Sequence, residues 1–295
     1  MKKDVILLTG ATGMVGRALL EEPELINNHI IKATTRNPEN KIKNTDQVLV
    51  GNLADYSFTE RAVRKCDTII HCAAENRNHD LYKLSNVDAV HNLVKTANLN
   101  NIKKFIHIST VKVIGHTSDK YIDEKTLCSP SNFYEQTKYE GEKIVLNECR
   151  ATEKYILRPS FVFDKRRIED ICQMNHLRIL LKGNETTNLV YVKNVTAAII
   201  YALNNKLHHT IYNISTDDLE SITFRQFLRD KLNRNIIVPS MPIKLVHTLR
   251  RLKNGYSSLG NKHYQSELLR NEGFAFPYNL YEAIENIYQE ITTTY

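Results

Sequence analysis

The chain has 295 residues, with 40 Lys and Arg against 33 Asp and Glu, giving a formal net charge of +7. Its 42 % hydrophobic and 25 % charged residues are the balance of an ordinary globule, which excludes a disordered or fibrous chain. No apolar run reaches about 18 residues, so no membrane span is expected. Met1-Lys2-Lys3-Asp4 enters the strand-like Val5-Ile6-Leu7-Leu8 directly, where a secretory signal would need a longer apolar stretch. Five cysteines, at 66, 72, 128, 149 and 172, have no CxxC spacing. Neither a disulfide framework nor a metal site is expected, and a cytoplasmic location is the natural reading. The positive charge is spread along the chain in short clusters such as Lys165-Arg166-Arg167 and Arg250-Arg251, without interleaved aromatics. No nucleic-acid partner is expected.

In chain order, strands are predicted at Val5–Thr9, Ile30–Thr35, Gln47–Val50, Thr68–His71, Lys104–Ser109 and Lys154–Arg158. Several are solidly apolar, as strands buried on both faces require. Helices are predicted between them, at Met14–Leu20, Asn86–Asn98 and Tyr134–Glu148. The alternation predicts a Rossmann-type α/β fold, a doubly wound parallel sheet. After about residue 160 helices dominate, at Asn194–Leu203, Thr223–Leu232, Ile243–Leu252 and Leu280–Thr292, with short strands near Asn188–Val192 and Thr210–Ile214. This divides the chain into a dinucleotide-binding part, 1–160, and a smaller, mostly helical substrate lobe, 161–295, interleaved in one continuous body.

The first strand runs into Thr9-Gly10-Ala11-Thr12-Gly13-Met14-Val15-Gly16. Gly10 can take the sharp turn, Gly13 lets backbone approach a pyrophosphate, and Gly16 lets the helix pack on the sheet. The pyrophosphate would rest on the helix N-terminus. The second strand ends in Thr34-Thr35-Arg36-Asn37, with no acid to bond a free ribose 2′-hydroxyl. Arg36 sits where a cation could hold a 2′-phosphate, so NADP is favoured, with NAD the alternative.

Tyr134 and Lys138 stand at i and i+4, on one helical face. A tyrosine of pKa ~10 becomes a usable acid/base when an ammonium lies nearby. The preceding strand ends in Ser109-Thr110, whose hydroxyls could bond a reacting oxygen; simple capping of the strand end is the alternative.

With these residues in order, the chain resembles the extended short-chain dehydrogenase/reductase superfamily. Thr9–Gly16 resembles the TGxxGxxG turn, Gly51-Asn52-Leu53-Ala54-Asp55 the GDLxD segment, and His71-Cys72-Ala73-Ala74 the HxAA segment. Asn86-Val87 with Asn92-Leu93 resembles NVxGTxNL, Ser109 to Gly115 resembles SSxxVYG, and Leu157-Arg158-Pro159 resembles LRPxxVYG with Asp164 in place of its glycine. Val190–Val195, Ile211–Ile214 and Gly273-Phe274 with Pro277 resemble the later VHVDDVA, VYNIG and GFxP segments.

The resemblance implies that Thr110, Tyr134 and Lys138 are catalytic. It implies a dinucleotide contacted by Gly10, Thr12, Gly13, Met14, Val15, Gly16, Arg36, Asn52, Leu53, Cys72, Ala73, Ala74, Lys138 and Pro159. It also implies homodimerisation through Asn86–Asn98 and Tyr134–Glu148. Where dehydratases of the family carry Asp-Glu or Glu after the threonine, this chain has Val111-Lys112, which argues against a 4,6-dehydratase. The resulting expectation is an NAD(P)-dependent oxidoreductase or epimerase acting on a secondary alcohol or ketone, foremost a nucleotide sugar. Its alternatives are a reductase of a steroid-like or small aromatic ketone and a non-catalytic dinucleotide-binding regulator.

Overall fold

The computed structural model describes residues 3–172, 178–179, 188–216 and 262–292, with isolated positions between 227 and 252. The first half contains β1 (Val5–Thr9), α1 (Met14–Leu19), α2 (Pro23–Asn28), β2 (Ile30–Thr35), β3 (Gln47–Val50), α3 (Tyr56–Val63), β4 (Thr68–His71), α4 (Ala89–Leu99), β5 (Lys104–Ile108), β6 (Tyr121–Ile122), α5 (Phe133–Glu148) and β7 (Glu153–Pro159). There follow β8 (Phe161–Phe163), α6 (Lys165–Cys172), β9 (Arg178–Ile179), β10 (Leu189–Tyr191), α7 (Val192–Asn204), β11 (Ile211–Ile214), β12 (Ile236–Ile237), β13 (His263–Tyr264), α8 (Glu267–Asn271) and α9 (Leu280–Thr292). The helices expected at Thr223–Leu232 and Ile243–Leu252 lie outside the described residues, apart from isolated positions.

Seven parallel strands form the main sheet in the order β11-β7-β5-β4-β1-β2-β3. The chain builds outward from β1 through β2 and β3, then resumes on the other side with β4. This reversal opens a crevice at the carboxyl ends of β1 and β4, where open α/β sheets take ligands. The apolar runs are explained by two cores. Ile6, Leu8, Ile70 and Ile106 pack on one face with Leu19 of α1 and Val195 and Ile199 of α7. Leu7, Ile69 and Phe105 pack on the other with Phe58 of α3, Leu93 of α4 and Val145 of α5. A third cluster joins Phe163 and Tyr191 to Leu280, Ile284 and Ile287 of α9. Among the described residues no helix is long and apolar enough to cross a membrane.

Local chemistry shifts three boundaries from the sequence expectation. Pro23 opens an unforeseen second helix, α2, as its first residue, since proline lacks the N–H that such a position leaves unused. Asp55 caps the unforeseen α3 by accepting from the N–H groups of Ser57 and Phe58. β5 ends at Ile108, so Ser109 and Thr110 lie beyond the strand, and Thr110 instead caps a short 3₁₀ turn, Val111–Ile114. Strand β11 comes from the second half of the chain yet pairs with β7 in the main sheet.

Two contacts fix α5 over the sheet. A Cβ at Gly141 would lie 2.7 Å from the Asn86 carbonyl, so only glycine allows this approach. Arg158 of β7 donates from Nε and Nη2 to the two Glu142 oxygens, at 2.9 and 2.6 Å, with side chains 3 % and 0 % exposed. Removing one partner of such a pair strands a buried charge. Glu142→Ala is therefore expected to lower the unfolding free energy by about 3–5 kcal/mol, while Glu142→Leu with Arg158→Met recovers most of it; urea denaturation of the three proteins measures both.

Candidate active site and dinucleotide cleft

The cleft at the β1–β4 crevice starts with Gly10, whose φ of +70° suits glycine. A Cβ there would lie 2.5 Å from the Ala73 nitrogen, and one at Gly16 would run into the Gly10 carbonyl. Gly13 caps α1 in extended geometry, and its N–H donates to the Gly10 carbonyl at 2.9 Å. Thr9 Oγ1 accepts from the Ala73 N–H at 3.3 Å and lies 2.7 Å from His71 Nδ1, fixing the far wall. The lining unites Gly10, Thr12 and Gly13 with Arg36, Asn52, Leu53, Cys72, Ala73 and Ala74, together with Thr34, Thr35, Gly51, Ser85 and Ala89. Nine of the twelve predicted cofactor residues other than Lys138 and Pro159 thus line one cleft; the remaining three, Met14, Val15 and Gly16, lie in α1, where Met14 and Val15 pack against apolar neighbours. Pro159 ends β7, buried two strands away.

Arg36 is not an idle cation. Its Nη2 lies 3.5 Å from Oε2 of Glu75, just past the end of β4. The other Glu75 oxygen accepts from the N–H groups of Asn76, Arg77 and Asn78 at 3.0–3.3 Å. Burial pushes the Glu75 carboxyl up, but these donors and Arg36 outweigh it and hold it below the usual carboxylate range. Glu75 is itself held by Asn86, whose Oδ1 accepts from its N–H at 2.9 Å and whose Nδ2 donates to its carbonyl and to Thr137 Oγ1. Asn86 therefore joins the cofactor side to α5. Sequence reasoning placed Asn86 in a motif but gave it no role, and it missed Glu75; nothing local announces an acid that reaches across the sheet edge.

Helix α5 starts at a set point: Asn132 Oδ1 accepts from the Glu135 N–H, and Glu135 accepts from the Ser131 N–H and hydroxyl. Tyr134 follows this cap, half-buried and edge-on to Tyr82 with ring centroids 5.6 Å apart. Burial, with Tyr82 and Glu135 adding to it, pushes its phenol up to about 12. Lys138, one turn on, is buried and donates from Nζ to the Ile108 carbonyl at 3.0 Å. Its ammonium is drawn from the ordinary 10.5 to about 8 by burial, with Glu142 and Cys72 opposing the fall. Beside it, His71 and His107 stack at 5.2 Å. Burial and then the Lys138 charge hold His71 neutral, at about 3, and His107 well below its usual value. Cys72, in the cleft wall, is pushed up to about 12 by burial and stays a thiol. Thr110 Oγ1 accepts from the Lys112 N–H at 3.3 Å, and the Lys112 ammonium lies 5.8 Å from the Tyr134 ring centroid. The structure thus gathers Thr110, Tyr134 and Lys138 at the ends of β5 and α5, but the Lys138 ammonium bonds Ile108 rather than the phenol.

A Rossmann sheet with a glycine turn crossing its switch point defines a dinucleotide-binding protein. The model of the NAD dependent epimerase/dehydratase family matches residues 6–215, and the chain belongs to that family. It is 24 % identical over 318 residues to the N-acetyl-alpha-D-glucosaminyl-diphospho-ditrans,octacis-undecaprenol 4-epimerase of Escherichia coli O157:H7, covering 97 % of this chain and 95 % of that one. It is 32 % identical over 172 residues to the UDP-glucose 4-epimerase of Vibrio cholerae, spanning 54 % of this chain and 52 % of that one. A short-chain dehydrogenase/reductase superfamily protein from Agrobacterium tumefaciens, solved with bound NAD, has the same fold, with a TM-score of 0.79, 17 % identity and 98 % coverage of both chains. The family's cofactor is NAD or NADP, and the cleft fits one: its backbone cradle needs Gly10 and Gly16 to lack Cβ atoms, while a Cβ at Gly13 would press on the Gly10 carbonyl at 3.2 Å.

Were a 2′-phosphate to reach Arg36, the Glu75 carboxylate would compete with it. Glu75→Gln keeps the side-chain oxygen but removes its charge, and is expected to tighten NADPH relative to NADH by about threefold to tenfold; calorimetric titration with both cofactors reads the ratio. The buried Lys138 ammonium makes folding costlier at every pH below about 8, a cost that fades as pH rises towards 10.5, where the unfolded chain also loses the proton. Lys138→Met is expected to raise the unfolding free energy by about 1–3 kcal/mol at pH 7 and by less at pH 9.5, as urea unfolding at the two pH values would show.

Proposed function

We propose that the chain is an NAD(P)-dependent epimerase of a nucleotide-activated sugar, oxidising and re-reducing one ring carbinol, with Tyr134 as the acid/base. The observation that carries this reading is the set of hydroxyl, phenol and ammonium at one sheet edge, with Lys138 abutting Cys72 in the wall of the dinucleotide cleft. The 4-epimerase that matches nearly the whole chain supports the reaction class.

A nicotinamide held in the cleft would accept a hydride as the carbinol is oxidised and return it as the ketone is reduced. Tyr134 takes the carbinol proton as that carbon is oxidised and returns it when the ketone is reduced from the opposite face. Thr110 donates a hydrogen bond to the same oxygen and keeps it at the phenol. A phenol at about 12 is a poor base at neutral pH, so its proton must leave under a neighbouring positive charge. Lys138 would hold the nicotinamide ribose and, while protonated, contribute to that charge. The Arg36–Glu75 pair favours a cofactor without a 2′-phosphate, and that fits an enzyme that keeps its dinucleotide through each turnover better than a reductase that exchanges NADPH.

Purified protein incubated with UDP-glucose or UDP-N-acetylglucosamine is expected to form the C4 epimer without consuming added cofactor. Tyr134→Phe is expected to slow this by about 10²–10⁴-fold with unchanged NAD affinity, as chromatography of the UDP-sugars and calorimetry would report. Full turnover in Tyr134→Phe would overturn the assignment.

A further inference from the structure

Lys112 occupies an unusual place. The 3₁₀ turn that carries it is pinned from below, since Val111, Val113 and Ile114 are all buried, and Thr110 Oγ1 accepts the Lys112 N–H. Its own side chain is exposed. The ammonium nevertheless lies over two rings, 5.8 Å from the centroid of Tyr134 and 5.2 Å from that of Phe161. Phe161 is 42 % exposed and opens β8, next to the end of β7. Two aromatic faces hold a lysine that would otherwise wave in solvent.

No carboxylate among the described residues pairs with this ammonium. The acids at this edge are engaged elsewhere: Glu135 with Ser131, and Glu124 with the Asn213 N–H. An exposed cation held over the rings of Tyr134 and Phe161, with no carboxylate among the described residues to meet it, is complementary to a negative charge brought by the substrate.

Building on the sugar-nucleotide reading above, we propose that Lys112 is a specificity-determining residue that pairs with a carboxylate on the sugar ring next to the carbon handled by Tyr134, so that the substrate is a nucleotide-linked uronic acid. The diphosphate does not meet this demand. It joins the sugar to the nucleoside and belongs to the binding of any nucleotide sugar, whereas Lys112 stands at the reacting end. Among ring substituents, an exocyclic carboxylate supplies a full charge within reach of that end, and a neutral hydroxymethyl group leaves the ammonium unmatched.

The test uses the NAD-loaded protein and three probes, UDP, UDP-glucose and UDP-glucuronic acid, titrated by calorimetry into wild type, Lys112→Met and Lys112→Arg. Wild type is expected to bind UDP-glucuronic acid at least tenfold more tightly than UDP-glucose, with the margin shrinking as salt is raised. Lys112→Met is expected to erase that margin by weakening only the uronate, and Lys112→Arg to keep most of it. Equal affinity for the two sugars in wild type, or a margin that survives in Lys112→Met, overturns the role of Lys112 while leaving the sugar-nucleotide reading intact. Failure of all three probes to bind overturns that reading and this inference together. Because Lys112 is exposed, an unchanged urea midpoint in each variant excludes a folding effect.

Discussion

Everything at the functional edge depends on how closely two backbones cross. Gly10, at φ +70°, passes so near Ala73 that a single added carbon would meet its nitrogen at 2.5 Å. This crossing sits where the sheet reverses its order of assembly, between β1 and β4. It shapes the floor of the dinucleotide cleft. It also sets the wall, because Ala73 and its neighbour Cys72 are held by Thr9 from the opposite strand. A side chain at this point would push the two strand ends apart and take the cleft with them.

A second constraint brings the chemistry to that cleft. Helix α5 carries Tyr134 and Lys138, and its pose is set from three sides: the Asn132 and Glu135 cap at its start, the close contact at Gly141, and the buried Glu142–Arg158 pair. Asn86 completes the link by bonding Glu75 on the cofactor side and Thr137 on the helix. The cost of this pose is visible in the groups it buries. Lys138 holds its proton less tightly than in water, and two imidazoles beside it are kept neutral. Such penalties are tolerated where geometry serves a reaction.

The sheet was legible in the sequence because its strands bury both faces, which leaves runs such as Val5-Ile6-Leu7-Leu8 without polar interruption. The glycine turn was legible for the same kind of reason, since only missing side chains permit it. What escaped were relations between distant segments. Tyr134 and Lys138 share a helical face, yet the buried lysine finds the Ile108 carbonyl of β5, a partner no helical spacing predicts. Arg36 reads as a free cation because its partner Glu75 lies 39 residues away on another strand end. α3 escaped because its signal is a lone aspartate cap on a short, weakly apolar segment.

The placement of β11 bears on how the molecule is made. Ile211–Ile214 covers the flank of β7, although more than fifty residues of the second half intervene. While the chain is being synthesised, β7 emerges with Ile156 and Leu157 ready for burial but with no neighbour on that side. An apolar edge of this kind is open to pairing with other chains until its cover arrives. Residues 1–160 alone would therefore form a sheet with a sticky rim, and the boundary between the two halves is a poor place to divide the protein for expression. The second half of the chain thus completes the sheet of the first.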